Sequence, residues 1–548
     1  MMRTPSVRTV RSGAPTMTRA WLSLLAVALG VLVVQLDGTV VSIANPAIAA
    51  DLSANLSQIS WVTTAYLLVL AGLLIPAGNV ADRIGHKKAF LIGIAGFSLA
   101  SLLCGLAGSI EVLIGARVLQ GLFAALLAPA GVAVIRTVFP PEKLAMGFGV
   151  FGSVSALALA GGPILGGLMV EHASWHWAFF INVPFGAVAI AIALAVIPST
   201  TRTTAAALDL PGAVSLTLAM VCIIWSINGV QEHGWFGTQT LVFFAIGLAL
   251  LAVFIVIERR RRDPMLPLGL FRNRSFTAGS VLMAVTMFAF FAILFYLTFF
   301  LQSVQGKPAI DAAVAILPMT IVFVVAAPLA GWVSSRLGVR TALVIGAVLT
   351  TTALVLFAGI QTDSTTVTML PALLLAGLGA GFMMVPAIEA IVGSAPEDKA
   401  GVASGVQQSM QQLGSTLGIA VFGAILGQIV ASQFKPNLLA AIGDADPSLS
   451  VVADSPEVQQ AVALGFPSSA QDALSAQVPP ELGSDLVSAI TSAAHETFIG
   501  GLHTVFLVAA GVTVIAGLLA LLIRTSDQQD ATPTPTIDEV TSTATEAR

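Results

Sequence analysis

Charge is what this sequence has least of: Asp, Glu, Lys and Arg together supply 9% of its 548 residues, where soluble domains carry roughly 25%. A chain so poor in charge cannot clothe a water-exposed surface of this size, and its 56% apolar content places it among integral membrane proteins. Cysteine is nearly missing as well. Cys104 and Cys222 are the whole complement, and both sit in apolar runs, which excludes a disulfide framework and a cysteine-based metal centre. No other metal-ligand spacing is present. A Gly-rich phosphate loop is also lacking, as is any set of nucleophile, base and orienter, so neither an enzyme nor an ATP-driven pump is indicated. The net charge of −4 offers no basic footprint for nucleic acid.

What is present is a succession of long apolar runs. By the length needed to cross a hydrocarbon core of about 30 Å, the sequence predicts fourteen helical spans, at 20–44, 57–79, 89–108, 112–135, 143–170, 177–197, 210–230, 237–257, 276–304, 311–334, 340–360, 367–391, 401–430 and 500–523. The first follows a basic segment and precedes Ala47-Ile48-Ala49, which resembles a signal cleavage site. It outlasts a signal core of about 7 to 15 residues, however, and reads as a span. Of the 24 lysines and arginines, all but Arg117, Lys307 and Lys435 fall on the side that holds both termini. Such an excess marks the cytoplasmic side, so both termini are expected in the cytoplasm.

An internal repeat locates the halves. Gly78–Lys88 reads GNVADRIGHKK and closes span 2; Gly331–Arg340 reads GWVSSRLGVR and closes span 10. Corresponding spans therefore differ by eight, which implies two six-helix bundles, related by an axis along the membrane normal, with a helix pair inserted between them. The expected fold is an all-α polytopic membrane protein. It comprises a cytoplasmic segment 1–19, a first bundle 20–198, the inserted pair with its basic connector 199–275, a second bundle 276–524 and a disordered tail 525–548. The second bundle includes an outer loop, 431–499, with short amphipathic helices expected near 457–464 and 484–494; a lid, a partner dock and a plain loop stay open for it. Arg259–Arg262 in the connector reads as a topology anchor at anionic headgroups.

Several residues point to chemistry. Gly78 and Gly85 permit close helix approach and a tight turn. Asp82 and Arg83 sit where a charge pair can form when the bundles close and break when they part, while Lys87 and Lys88 either assist or only anchor topology. A lone intramembrane charge costs at least about 2.5 to 3.5 kcal/mol, so Asp37 and Arg117 should pair. Asp37 lies before Pro46, and Arg117 after Glu111, by distances that put both roughly 9 to 14 Å below the outer interface. Such a pair in a cavity suits proton coupling, with a permanent structural ion pair as the alternative. Glu389 is either a second proton or cation carboxylate or a snorkelling side chain. Ser404, Gln408, Gln411 and Ser415 recur along one face of span 13, facing a cavity or a neighbouring helix. Phe288, Phe291, Phe295 and Phe299 form a stripe on span 9 that either stacks a ligand or packs. Gly162, Gly166 and Gly167 make a small-residue face, and Pro163 is expected to bend span 5 at the bundle interface.

Taken together, these stretches resemble the major facilitator superfamily, and within it the fourteen-span drug:proton antiporters of the QacA and EmrB type. The resemblance rests on GNVADRIGHKK, Leu36-Asp37-Gly38-Thr39-Val40-Val41, Arg117-Val118-Leu119-Gln120-Gly121, Gly161–Gly167 and Trp175–Pro184, in that family's order. His86 and His176 stand where arginine is commoner, and Ala158 where a glycine is expected. The resemblance implies a proton-driven exporter of amphipathic organic compounds, drugs among them, cationic or neutral. It needs no cofactor beyond the proton gradient. A dedicated exporter of one endogenous compound is the alternative, and a non-transporting sensor a more distant one. From their charge and position Asp37, Arg117 and Glu389 are the expected proton-coupling residues, and Gly78, Asp82, Arg83, Gly85, Lys87 and Lys88 the expected cytoplasmic gate; the resemblance adds that the span 5 motif accompanies export by exchange, here across a bacterial inner (plasma) membrane. Gln120, Phe291, Phe295, Ser404, Gln408 and Gln411 are the expected cavity residues. An arginine often stands at the position of Gln411 in the family, so a different charge preference is expected here. The expected partners are substrate, protons and bilayer, with a monomer as the unit and a partner on the outer loop left open.

Overall fold

The computed structural model describes residues 17–54, 56–199, 209–230, 234, 236–261, 264–442, 455–467, 470–471 and 483–523. The expectations for segment 1–16, for part of the connector and outer loop, and for the tail lie outside the described residues. Within them all regular structure is helical. The elements are α1 (Met17–Asp51), α2 (Leu56–Ile84), α3 (His86–Gly105), α4 (Ile110–Val138), α5 (Pro141–His172), α6 (Trp177–Phe180), α7 (Asn182–Val196), α8 (Leu210–Asn228), α9 (Thr238–Arg260), α10 (Arg274–Phe299), α11 (Ala309–Leu337), α12 (Val339–Phe357), α13 (Thr366–Ser394), α14 (Ala400–Ile442), α15 (Pro456–Ala463) and α16 (Gly483–Ala520). Among the described residues 13 candidate spans are long and apolar enough to cross a membrane, α6 and α7 counting as one. The 32-residue α5, charged only at its two ends, makes a fourteenth.

Three boundaries differ from the sequence reading. The first helix runs through Pro46 to Asp51, so that proline does not mark its end. Span 6 is broken at Ile181, because Pro184 has no N–H to give the carbonyl of Phe180 four residues back. Most of the described outer loop is not separate from the spans. It continues them: α14 has 43 residues, about 65 Å of helix, and α16 has 38. Their overhangs enclose a small core of their own, with Phe434 and Leu438 from α14, Val462 and Phe466 from the α15 segment, and Ile490 and Ala494 from α16. The helix expected at 457–464 is present as α15, whereas the one expected at 484–494 is simply the start of α16.

The two copies of the repeat are used reciprocally. At the end bearing most of the basic residues, a Cβ on Gly78 of α2 would overlap the carbonyl of Gly401 in α14, and one on Gly331 of α11 would overlap that of Ala145 in α5. Gly405 extends the first contact and Gly149 the second: a Cβ on Gly405 would come within 2.7 Å of the Leu74 carbonyl oxygen, and one on Gly149 within 2.7 Å of that of Ala327. Backbones meet backbones because no side chain stands between them. Helix α8 packs on α9, α2 and α14, so the inserted pair lies against helices that come before and after it in the chain. Asp209 caps α8 by accepting from the Gly212 amide at 2.9 Å and pairs with Arg261 at 3.2 Å.

Candidate functional site

Between α1, α2, α10 and α14 lies a cavity of about 720 Å³, within the range of drug-sized sites. From the first half come Gln35, Thr39, Thr63, Thr64 and Tyr66; from the second come Phe291, Phe295, Gln408, Gln411, Gln412, Ser415 and Thr416; and α8 contributes Ile224 and Ile227. None of the described residues lining it carries a charge. Gln408, Gln411 and Ser415 recur every three or four residues, which is why one face of α14 delivers them together. Ser404, one turn earlier, is fully buried and donates to the Ala400 carbonyl of its own helix, outside this lining. The aromatic stripe divides: Phe291 and Phe295 reach the cavity, while Phe288 packs on Phe422 with ring centroids 4.6 Å apart.

The intramembrane charges do meet, but they are sealed away from that space. Asp37 and Arg117 are 0% exposed, and Arg117 Nη1 donates to Asp37 Oδ2 at 2.5 Å. The other carboxylate oxygen accepts from Gln120 Nε2 at 2.7 Å and Asn182 Nδ2 at 3.2 Å. Arg117 also donates to the Val62 carbonyl at 2.9 Å and to Gln120 Oε1 at 2.8 Å. Ser101 closes the network, accepting from Asn182 at 2.9 Å and donating to the Phe179 carbonyl at 2.9 Å. Gln120 thus belongs to the ion pair and not to the cavity. The wall between them is Tyr66, whose ring stacks 4.1 Å from the Arg117 guanidinium carbon and which also lines the cavity. Burying charges this deeply is tolerable only because they are paired and hydrogen-bonded on nearly every side.

The basic end is closed by polar contacts as well as by glycine. Asp82, at the end of α2, accepts from the backbone amides of Gly401 at 2.7 Å and Val402 at 3.0 Å, the first turn of α14. His86 Nε2 lies 2.9 Å from the same carboxylate. Asp82 therefore holds a helix N-terminus, where backbone N–H groups and the helix dipole favour an anion, in a contact the expected charge pair with Arg83 did not foresee. Arg83 occupies the last turn of α2. Gly85 has φ 92° and starts α3, and the second copy's Gly338 does the same for α12 with φ 87°. Lys87 donates to the Leu194 carbonyl at 2.9 Å, satisfying the end of α7, and Lys88 is exposed. Arg136, at the end of α4, donates to the carbonyls of Val392 and Ala395 at the end of α13. Glu389, half-buried in α13, accepts from Ser334 at 2.5 Å and stands apart from the cavity.

In α5, Gly162 is where a Cβ would overlap the Thr39 hydroxyl, so the motif presses α5 onto α1 within the first half. The contact of α5 with α11 instead runs through Gly149 and Ser153, whose hydroxyl donates to the Val324 carbonyl at 2.6 Å. Span 5 thus lies at the bundle interface, as expected, but meets the second half through Gly149 and Ser153, while Gly162 faces α1. The helix passes unbroken through Pro163, Gly166 and Gly167.

The family model described as Major Facilitator Superfamily matches residues 27–419. The chain belongs to that superfamily. A tetracenomycin C resistance and export protein of Streptomyces glaucescens is 39% identical over 519 residues, 94% of each chain. The multidrug resistance protein Stp of Mycobacterium tuberculosis is 30% identical over 77% of this chain and 79% of its own length. The crystal structure of the human organic anion transporter MFSD10 shares the fold, with a TM-score of 0.57 at 14% identity over 92% of this chain and 100% of that one. This facilitator is accordingly a polytopic membrane transporter, with the fold its motifs pointed to. Sequence reasoning paired Asp37 with Arg117 but missed Tyr66, Ser101, Gln35, Gln412 and Arg136 as working residues. Asn182 was visible within the Trp175–Pro184 motif, and Tyr66 is one of only 2 tyrosines in the chain.

Proposed function

We propose that this facilitator is an antiporter that exports small amphipathic organic compounds across a bacterial plasma membrane in exchange for protons, with both termini in the cytoplasm. The observation that carries the reading is the Asp37–Arg117 pair, fully buried within a transmembrane bundle and one side chain away from a drug-sized cavity. Protonating Asp37 would remove the charge that Arg117 answers, and an unpaired buried cation costs about 3 to 5 kcal/mol. That energy can be relieved by moving α1 against α4, and α1 also forms part of the cavity wall. Closure of the basic end by Asp82, Arg136 and the two glycine contacts belongs to one limit of an alternating-access cycle. Its release would open the cavity to the cytoplasm for loading.

Efflux from proteoliposomes under an imposed pH gradient tests this, comparing wild type with Asp37→Asn. Gradient-driven efflux should be lost in the mutant; undiminished coupled transport there would remove Asp37 from the mechanism. A dedicated exporter of one compound is a second reading, favoured by the similarity over 94% of both chains to a protein that exports tetracenomycin C. A narrow substrate profile in membrane vesicles would support it over multidrug export.

A further inference from the structure

We infer that the cavity selects uncharged, planar, oxygen-rich aromatic molecules and discriminates against permanent cations, an inference that rests on the export reading above and names its substrate class. Four glutamines supply the polar wall. The side chains of Gln35, Gln408 and Gln412 make no hydrogen bond among the described residues, and Gln411 has a single one, accepted from Gln407 at 3.3 Å. Each amide presents both a donor pair and an acceptor, which matches the carbonyl and hydroxyl edges of a quinone or phenol. A cation could use only the carbonyl half and would leave the NH₂ donors facing like charge. Phe291 and Phe295 add flat apolar faces suited to a fused ring.

A positive ligand would find no counter-ion among the described residues that line the cavity. Asp37, next in sequence to the cavity residue Gly38, has both oxygens occupied and is neutralised by Arg117. Two phenyl rings return far less than the loss of an ion's hydration shell. Substrate and proton then occupy different faces of α1, so exchange does not require them to compete for one carboxylate.

The test is equilibrium binding to the purified full-length chain in detergent, without a gradient, by fluorescence titration with neutral quinizarin and with the similarly sized cation ethidium. Quinizarin should bind saturably and at least about tenfold more tightly than ethidium, a difference readily resolved in Kd. Gln411→Glu should reverse the preference by placing a carboxylate in the wall, and Gln408→Leu should weaken quinizarin roughly tenfold without helping ethidium. Ethidium binding as tightly as quinizarin in wild type, failure of quinizarin to bind, or an unchanged preference in Gln411→Glu would each overturn the inference. Because no gradient is applied, quinizarin binding without proton-driven flux would sink the antiport reading and leave this one standing.

Discussion

Replacing Asp82 by Asn should weaken the closure of the basic end. The carboxylate accepts two backbone amides from the first turn of α14, at 2.7 and 3.0 Å, and is only 7% exposed. Hydrogen bonds to a charged acceptor are worth about 1.5 to 3 kcal/mol each, and an anion at a partly buried helix terminus adds up to about 2. Asparagine keeps one acceptor but turns an NH₂ toward a backbone donor. A net loss of about 2 to 3 kcal/mol follows, which shifts the ratio of closed to open molecules by roughly 30- to 150-fold. Spin labels on exposed Lys88→Cys and Arg340→Cys, in a background with Cys104→Ala and Cys222→Ser, would read the separation of the two halves by pulsed distance measurement. The mutant should gain a longer-distance population. Ser335, the counterpart of Asp82 in the second repeat, bonds only the Trp332 carbonyl of its own helix, and Ser335→Ala should leave the distribution unaltered. An identical distribution in Asp82→Asn and wild type would refute the capping argument.

Gly331→Ala should open the same end by forcing α11 off the Ala145 carbonyl, at an overpacking cost of about 1 to 3 kcal/mol, whereas Gly161→Ala, with nothing within 4 Å of the new Cβ, should be tolerated; thiol labelling at the basic end separates them. Gly85→Ala places a side chain at φ 92° and should lower the unfolding temperature in detergent, since such backbone strain costs about 1 to 3 kcal/mol. Asn182→Ala removes donors to both Asp37 and Ser101 and should cost roughly 1 to 3 kcal/mol in thermal stability along with proton-driven efflux; unchanged values for both would detach Asn182 from the ion pair.

Span number, the repeat and the Asp37–Arg117 pairing were legible because each follows from a local rule: apolar run length, glycine spacing, and the cost of an unpaired charge in lipid. Which face of α1 meets the cavity was not. Asp37 and Gly38 are adjacent in sequence, yet one is sealed and the other lines open space, and only the packing of α2 and α4 against α1 decides between them. Gln120 was misplaced for the same reason, since a polar residue in an apolar helix announces that it needs a partner without saying which. The bonds from Asp82 to the first amides of α14 were not legible, because helix ends carry no formal charge in a sequence. The extensions of α14 and α16 were hidden by polar composition, which signals departure from lipid and says little about whether the helix continues.

Helix α4 carries a guanidinium near each end. Arg117 is held by Asp37, and Arg136, nineteen positions further and so about 28 Å along the axis, holds the carbonyls that finish α13. A helix of this kind is stiff along its length. Pro129 lies between them and removes one hydrogen bond from the rod, so it is the place where part of an axial slip or roll passing from Arg117 to Arg136 would be absorbed. Should the proposed cycle move the helix at Arg117, the same rod would carry the rest of that displacement to the far seal, with no proton, ion or water having to travel the distance.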